Sequence, residues 1–220
     1  MKENDNKIRN LLYRWLLYIV GLLVLALGII LNTKADYGVS PIISVPYSIS
    51  QIGGFNFGNA SFVMYLVLAI IEYLLKWKNF KIYDLLQIPL SVVFTRFFNI
   101  FGKYIPAPTT IPSRIICLVI AIILTGIGAA MSMNARLVPN PGDGIVQAIS
   151  DRVNKSAGLC KNCLDISCVL LTCTIGLGAT GSLVGVGIGT VAAMIGVGRV
   201  IAVYNHFFKD KTFKLMGLNA

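Results

Sequence analysis

The feature that most constrains this chain is a series of long, nearly uncharged apolar runs. They lie at roughly 13–33, 60–76, 85–102, 114–133, 163–178 and 183–203. A helix needs about 20 mainly apolar residues to cross a bilayer. Charge argues against a soluble alternative: 56% of the residues are hydrophobic and only 13% charged, whereas a soluble domain carries roughly 25% charged residues. The expected fold class is therefore all-α, a polytopic membrane helix bundle of about six transmembrane helices with the lipid bilayer as its solvent. Basic residues precede the first run, as in a secretory signal. The stretch from Trp15 to Leu31 is longer than a usual signal core, so it is read as a retained span.

Two weaker segments, 41–52 and 141–152, are too short to cross as helices. Each begins with proline directly after a capping residue, Ser40-Pro41 and Asn140-Pro141, which is a helix-start signature. A shift of 100 residues brings these segments into register. It also aligns Arg14 with Arg114, Gly28 with Gly128, Ala35 with Ala135, Ile49-Ser50 with Ile149-Ser150, and Gly58 with Gly158. This spacing predicts two repeats, 13–102 and 113–203, each with three spans and one short helix. Around them lie an N-terminal segment 1–12, a linker 103–112 and a basic tail 204–220. Three spans is an odd number, so the second repeat enters the membrane from the opposite side. Inverted-topology repeats of this kind are common among secondary transporters.

The net charge of +10 would suggest nucleic acid in a soluble protein. Here the basic residues sit between apolar runs and no nucleic-acid module is visible, so none is expected as a partner. Cytoplasmic loops collect lysine and arginine. With a cytoplasmic N-terminus, Lys2, Lys7, Arg9, Arg14, Lys76, Lys78, Lys81 and the basic residues of 136–161 and 209–214 fall inside. Only Lys34, Lys103 and Arg114 fall outside, while Arg96 and Arg199 lie within spans. The expectation is a bacterial inner-membrane protein with both termini cytoplasmic.

The sharpest local motif is Asn140-Pro141-Gly142-Asp143-Gly144. The first turn of a helix exposes free N–H groups and partial positive charge, which favours the carboxylate of Asp143. The motif reads either as a capped helix start or as a substrate or ion site at the repeat interface. Ser40 either caps the matching helix or offers a hydroxyl, and its repeat has Ile43 where the second has Asp143. Arg96, flanked by Phe94, Phe97 and Phe98, either snorkels or faces the bundle interior. Glu72, Asp84 and Asp165 lie near predicted inner ends of spans and read either as interfacial anchors or ion pairs, with Arg199 as one partner, or as part of a proton pathway.

The remaining signals argue against other classes. Five cysteines, four of them in or beside apolar runs, are not a disulfide framework. Cys160-x-x-Cys163 supplies two thiolates, whereas structural zinc normally takes four ligands, so no metal or cofactor is expected. The glycine-rich stretch 176–198 lacks the lysine of a phosphate-binding loop and suits close helix packing, including that of a homodimer. The single histidine, His206, is near the chain end. No Ser/His/Asp arrangement is visible, and no enzyme activity is expected.

Gly38-Val39-Ser40-Pro41, Pro141-Gly142-Asp143-Gly144 and Gly187-Ile188-Gly189-Thr190 together resemble the YczE/YitT-type bacterial integral membrane proteins, closer to the YczE side. The resemblance covers most of the chain and implies a bacterial membrane location without naming a substrate. In that family Trp-Asp often follows the first motif, and here Ile42-Ile43 stands instead. The functional expectation is a small secondary transporter or permease of a small solute. Its candidate binding residues are Asp143, Asn140, Gly142, Gly144, Ser40 and Arg96. The alternative is a non-transporting scaffold or accessory subunit, favoured by the scarcity of polar residues within spans.

Overall fold

The computed structural model describes residues 2–77 and 82–218. Lys78 and Lys81, used above for sidedness, lie outside the described residues. Among these described residues eight α-helices follow in order: α1 (Lys2–Ala35), α2 (Pro41–Gly53), α3 (Phe57–Lys76), α4 (Gln87–Tyr104), α5 (Ile111–Asn134), α6 (Pro141–Val153), α7 (Ala157–Thr180) and α8 (Ile188–Leu215). A 3-10 turn, Ile82–Leu86, leads into α4. Among the described residues, α1, α3, α4, α5, α7 and α8 are long and apolar enough to cross a membrane. The helices α2 and α6, of 13 residues each, are not. At about 1.5 Å per residue, 13 residues span only about 20 Å of a core roughly 30 Å thick.

The outward faces are apolar, as lipid requires. Leu12, Leu16, Val63, Val67, Ile116, Val119, Leu170, Ile195 and Val203 are all exposed. Polar side chains instead concentrate inside: Ser44, Ser61, Glu72, Thr95 and Thr172 are fully buried.

The helices α1 and α5 cross antiparallel at the centre. A Cβ on Gly28 would lie 2.5 Å from the Thr125 backbone nitrogen, and one on Gly128 would lie 2.3 Å from that of Leu25. Only glycine lets the two backbones meet there. At one end of this pair, the Arg14 guanidinium donates to the carbonyl oxygens of Ala135, at 3.0 Å, and Arg136. At the other end, Arg114 pairs with Asp36 at 3.4 Å.

Several local devices recur 100 residues apart. Asp36 and Arg136 both have positive φ, at 61° and 49°. Ser40 and Asn140 occupy the N-cap positions of α2 and α6, and Gly54 and Asn154 are their left-handed C-caps. The Ser50 hydroxyl donates to the Phe55 carbonyl at 2.7 Å, and that of Ser150 to the Lys155 carbonyl at 2.6 Å. Asn56 caps α3 and Ser156 caps α7. The short helices also pack crosswise, α2 against α7 and α6 against α3.

One sequence expectation needs correction. The last span starts at Ile188 rather than 183, because Gly181 and Gly185 take positive φ and turn the linker back on itself. The Thr190 hydroxyl then accepts from the Gly187 N–H at 3.1 Å and helps start α8. The α8 helix then continues through much of the basic tail, to Leu215.

Candidate functional site

The N-termini of α2 and α6 meet at a cavity of about 110 Å³ beside the α1–α5 crossing. Ser40, Ile42 and Ile43 line it from α2, and Asn140, Gly142 and Asp143 from α6. Tyr65 of α3, Lys161 and Asp165 of α7, and Ala193, Met194, Val197 and Ile201 of α8 complete much of its wall.

Local chemistry places these groups. Proline occupies the first position of α6, where a missing N–H costs nothing. The Asn140 side-chain oxygen accepts from the Gly142 N–H at 3.2 Å. Its carbonyl accepts from the Asp143 and Gly144 N–H groups, both at 2.8 Å. Tyr65, 4% exposed, lines the same cavity as Asn140. Ser40 makes no side-chain cap hydrogen bond, so its hydroxyl is available at the cavity.

Asp143 sits in the first turn of α6, where the helix N-terminus favours its negative charge. Among the described residues its carboxylate has no hydrogen-bond or ion-pair partner. Burial pushes its pKa above the usual carboxylate value; the Lys161 charge draws it back and the Asp165 charge adds to the rise. Asp165 is 2% exposed and is paired with Lys161, whose Nζ lies 3.2 Å from Oδ2. The cavity wall thus carries two carboxylates and one ammonium, and Asp143 is the uncompensated charge. An ionisable group without a partner is costly within a membrane.

Two further cavities frame this one. One of about 210 Å³ is lined by residues 136–140, Ser132, Met133, Asp143 and Gln147, so it shares Asn140 and Asp143 with the central cavity. The other, of about 470 Å³, lies between residues 36–39, Tyr47, Gln51 and the linker 183–188. It shares no lining residue with the central cavity. Backbone bonds close that side: the Val39 N–H donates to the Gly185 carbonyl at 3.0 Å, and the Gly189 N–H to the Tyr37 carbonyl at 2.7 Å. Gly38 makes this contact possible, with φ of 93° and the Gly187 nitrogen 2.4 Å from where a Cβ would lie.

Of the residues singled out in the sequence, Ser40, Asn140, Gly142 and Asp143 gather at the cavity. Gly144 instead seats the Glu72 carboxylate, which would lie 2.4 Å from a Cβ there. Glu72 is fully buried and pairs with Lys76 at 2.5 Å, and Lys76 also reaches Asp84 at 3.6 Å. Arg96 is exposed on the outer face of α4 and lines none of these cavities. Its helix turns Phe94, Thr95 and Phe98 inward instead. Sequence reasoning did not assign Tyr65, Lys161 and Asp165 to the site. A signal for the last two exists: Lys161 and Asp165 stand four apart, one helical turn, after the Ser156 cap.

Buried polar groups inside a bundle with an apolar exterior define a multi-span α-helical membrane protein. The chain belongs to the family of unknown function DUF6198, whose model matches residues 12–206. It is 27% identical over 194 residues to the uncharacterized membrane protein YczE of Bacillus subtilis, covering 88% of this chain and 86% of that one. It is 28% identical over 184 residues to an uncharacterized protein of Haemophilus influenzae, covering 82% and 78% of the two chains. To the uncharacterized protein YyaS of B. subtilis it is 23% identical over 191 residues, covering 87% and 92%. No solved structure matches it.

Proposed function

We propose that this protein is a small secondary transporter of the bacterial inner membrane, with both termini cytoplasmic. The observation that carries the reading is the position of Asp143. It is an unpaired carboxylate where two short helices meet, at once part of the central cavity and of the cavity on the 136–147 side. Transporter binding sites commonly use discontinuous helices whose termini point at the ligand. The recurrence of caps, left-handed residues and hydrogen bonds 100 residues apart supports two repeats of three spans each, hence of opposite orientation. The crosswise packing of α2 on α7 and α6 on α3 is what such a pair requires. In this reading the molecule is open toward the 136–147 side and closed at the 37–39 and 185–189 backbone contacts. Transport follows from moving that closure to the other side.

The test is reconstitution of wild type and Asp143→Asn in liposomes, with uptake of pooled small solutes measured with and without a proton gradient. Wild type takes up at least one solute, and Asp143→Asn takes it up at least about ten-fold more slowly, the order expected for one lost charged contact. Unchanged uptake by the variant removes Asp143 from the mechanism. No uptake of any solute by folded protein removes the transporter reading and leaves an accessory role.

A further inference from the structure

The two flanks of the central cavity are built differently. On one flank α3 and α4 pack against each other; on the other, α7 and α8 have almost no close approach. The side chains account for this. On the closed flank Tyr65 of α3 meets Phe94 of α4 with ring centroids 6.0 Å apart, and along α4 itself Phe97 stacks on Phe101 at 6.0 Å. One hundred residues on, those four aromatic positions are Asp165, Met194, Val197 and Ile201, and all four line the cavity. A ring-filled seam in one half is thus a lined, unfilled seam in the other. Lys161, at the same seam, is 38% exposed. The outer faces of α7 and α8 on either side are apolar, with Ile166, Leu170, Val191 and Ile195 exposed, so lipid lies against the opening.

We infer that the central cavity is entered from the bilayer between α7 and α8, and that its ligand is an amphipathic amine. The ammonium head pairs with Asp143, and the apolar body lies along Met194, Val197 and Ile201. Charge complementarity selects the head group: Lys161 is already held by Asp165, which leaves Asp143 as the open charge. The apolar wall selects the body. The shared chemistry is an ammonium on a lipid-soluble chain, supplied either by a single-chain amine or by an aminophospholipid. The inference rests on the site described above but does not require transport.

The experiment uses full-length protein in phosphatidylcholine liposomes with three photoreactive probes. These are a long-chain primary alkylamine and a phosphatidylethanolamine, each with a diazirine in the chain, and a fatty acid with the same diazirine chain. Adducts are mapped by peptide mass spectrometry. Labelling concentrated at 193–201 by an ammonium probe and not by the fatty acid is expected, and the probe that labels identifies the source. Asp143→Asn reduces that labelling by about ten-fold, as loss of one charged contact predicts. Met194→Phe with Val197→Phe, which restores the rings of the closed flank, abolishes it while the protein stays monodisperse. Equal labelling by the fatty acid, labelling spread over lipid-facing helix surfaces, or labelling unchanged in either variant would overturn the inference. Labelling without uptake leaves the ligand assignment standing and removes the transporter reading. Uptake of a water-soluble solute without labelling does the reverse.

Discussion

Replacing Gly128 by alanine tests the α1–α5 crossing on which the site is built. The new Cβ would stand 2.3 Å from the Leu25 nitrogen, 2.7 Å from the Gly21 oxygen and 2.7 Å from the Leu25 Cα. All three are backbone atoms, so no side-chain rotation relieves the contact. Ordinary carbon contacts begin near about 3.5 Å, so α1 must retreat by roughly 1 Å. Overpacking of this kind costs about 1–3 kcal/mol, against a gain of about 1 kcal/mol from putting alanine in place of glycine in a helix. The net expectation is a loss of up to about 2 kcal/mol. Gly178→Ala, also helical but with open space around its Cβ position, gains about 0.5–1 kcal/mol from the same propensity. The assay is reversible unfolding in mixed micelles with increasing SDS, read by circular dichroism. Gly28→Ala, which meets the Thr125 nitrogen at 2.5 Å, forces the same separation. The double variant therefore loses less than the sum of the singles, because the second substitution enters a gap the first has opened. Gly128→Ala as stable as Gly178→Ala would refute the close crossing.

Two other outcomes follow from the same geometry. Ser44→Ala breaks the buried 2.7 Å hydrogen bond between the Ser44 and Thr172 hydroxyls and costs about 0.6–1.5 kcal/mol in the same unfolding assay; Thr172→Val added to it costs little more. Because burial raises the Asp143 pKa, the folded state holds that proton to higher pH than the unfolded state. Stability therefore falls as pH rises from the ordinary value of 3.8 toward the raised one. Asp143→Asn removes this part of the slope in thermal unfolding curves, and a slope unchanged in the variant refutes the assignment.

The six spans and both short helices were legible because their signals are local. A bilayer sets span length, and Ser40-Pro41 and Asn140-Pro141 announce helix starts whatever their surroundings. Ser40, Asn140 and Asp143 stand out in the sequence because they lie at or beside those helix starts. The rest of the site depends on which face of a long apolar helix turns inward, and an apolar run does not encode that. Tyr65 is one more aromatic residue within an apolar run, yet it lines the cavity with Asn140. Lys161 precedes the apolar run and so resembles a loop residue in the sequence, although Ser156 already starts the helix. Arg96 drew attention as a charge among aromatic residues, but those aromatic residues fill the interior and turn the arginine outward.

The two halves share a backbone plan but differ in chemistry where the short helices are joined. The α2 helix is tied to α7 by the neutral Ser44–Thr172 hydrogen bond, an inexpensive joint that needs no desolvated charge. At the equivalent place α6 offers only Gly144, against the fully buried Glu72. One Glu72 oxygen accepts from Lys76, and Oε2 has no hydrogen-bond partner. A buried ion pair barely recovers its desolvation cost even when fully bonded, and an unsatisfied oxygen costs about 1–3 kcal/mol more. The α3–α6 joint is therefore the weaker of the two. It is also the joint one residue from Asp143, on the side where the central cavity meets its neighbour. The linker backbone pins α2, while α6 rests on a carboxylate that is bonded at only one of its oxygens. The asymmetry that opens the α7–α8 flank thus recurs at the short helices, and both differences leave the second half less tightly closed around Asp143.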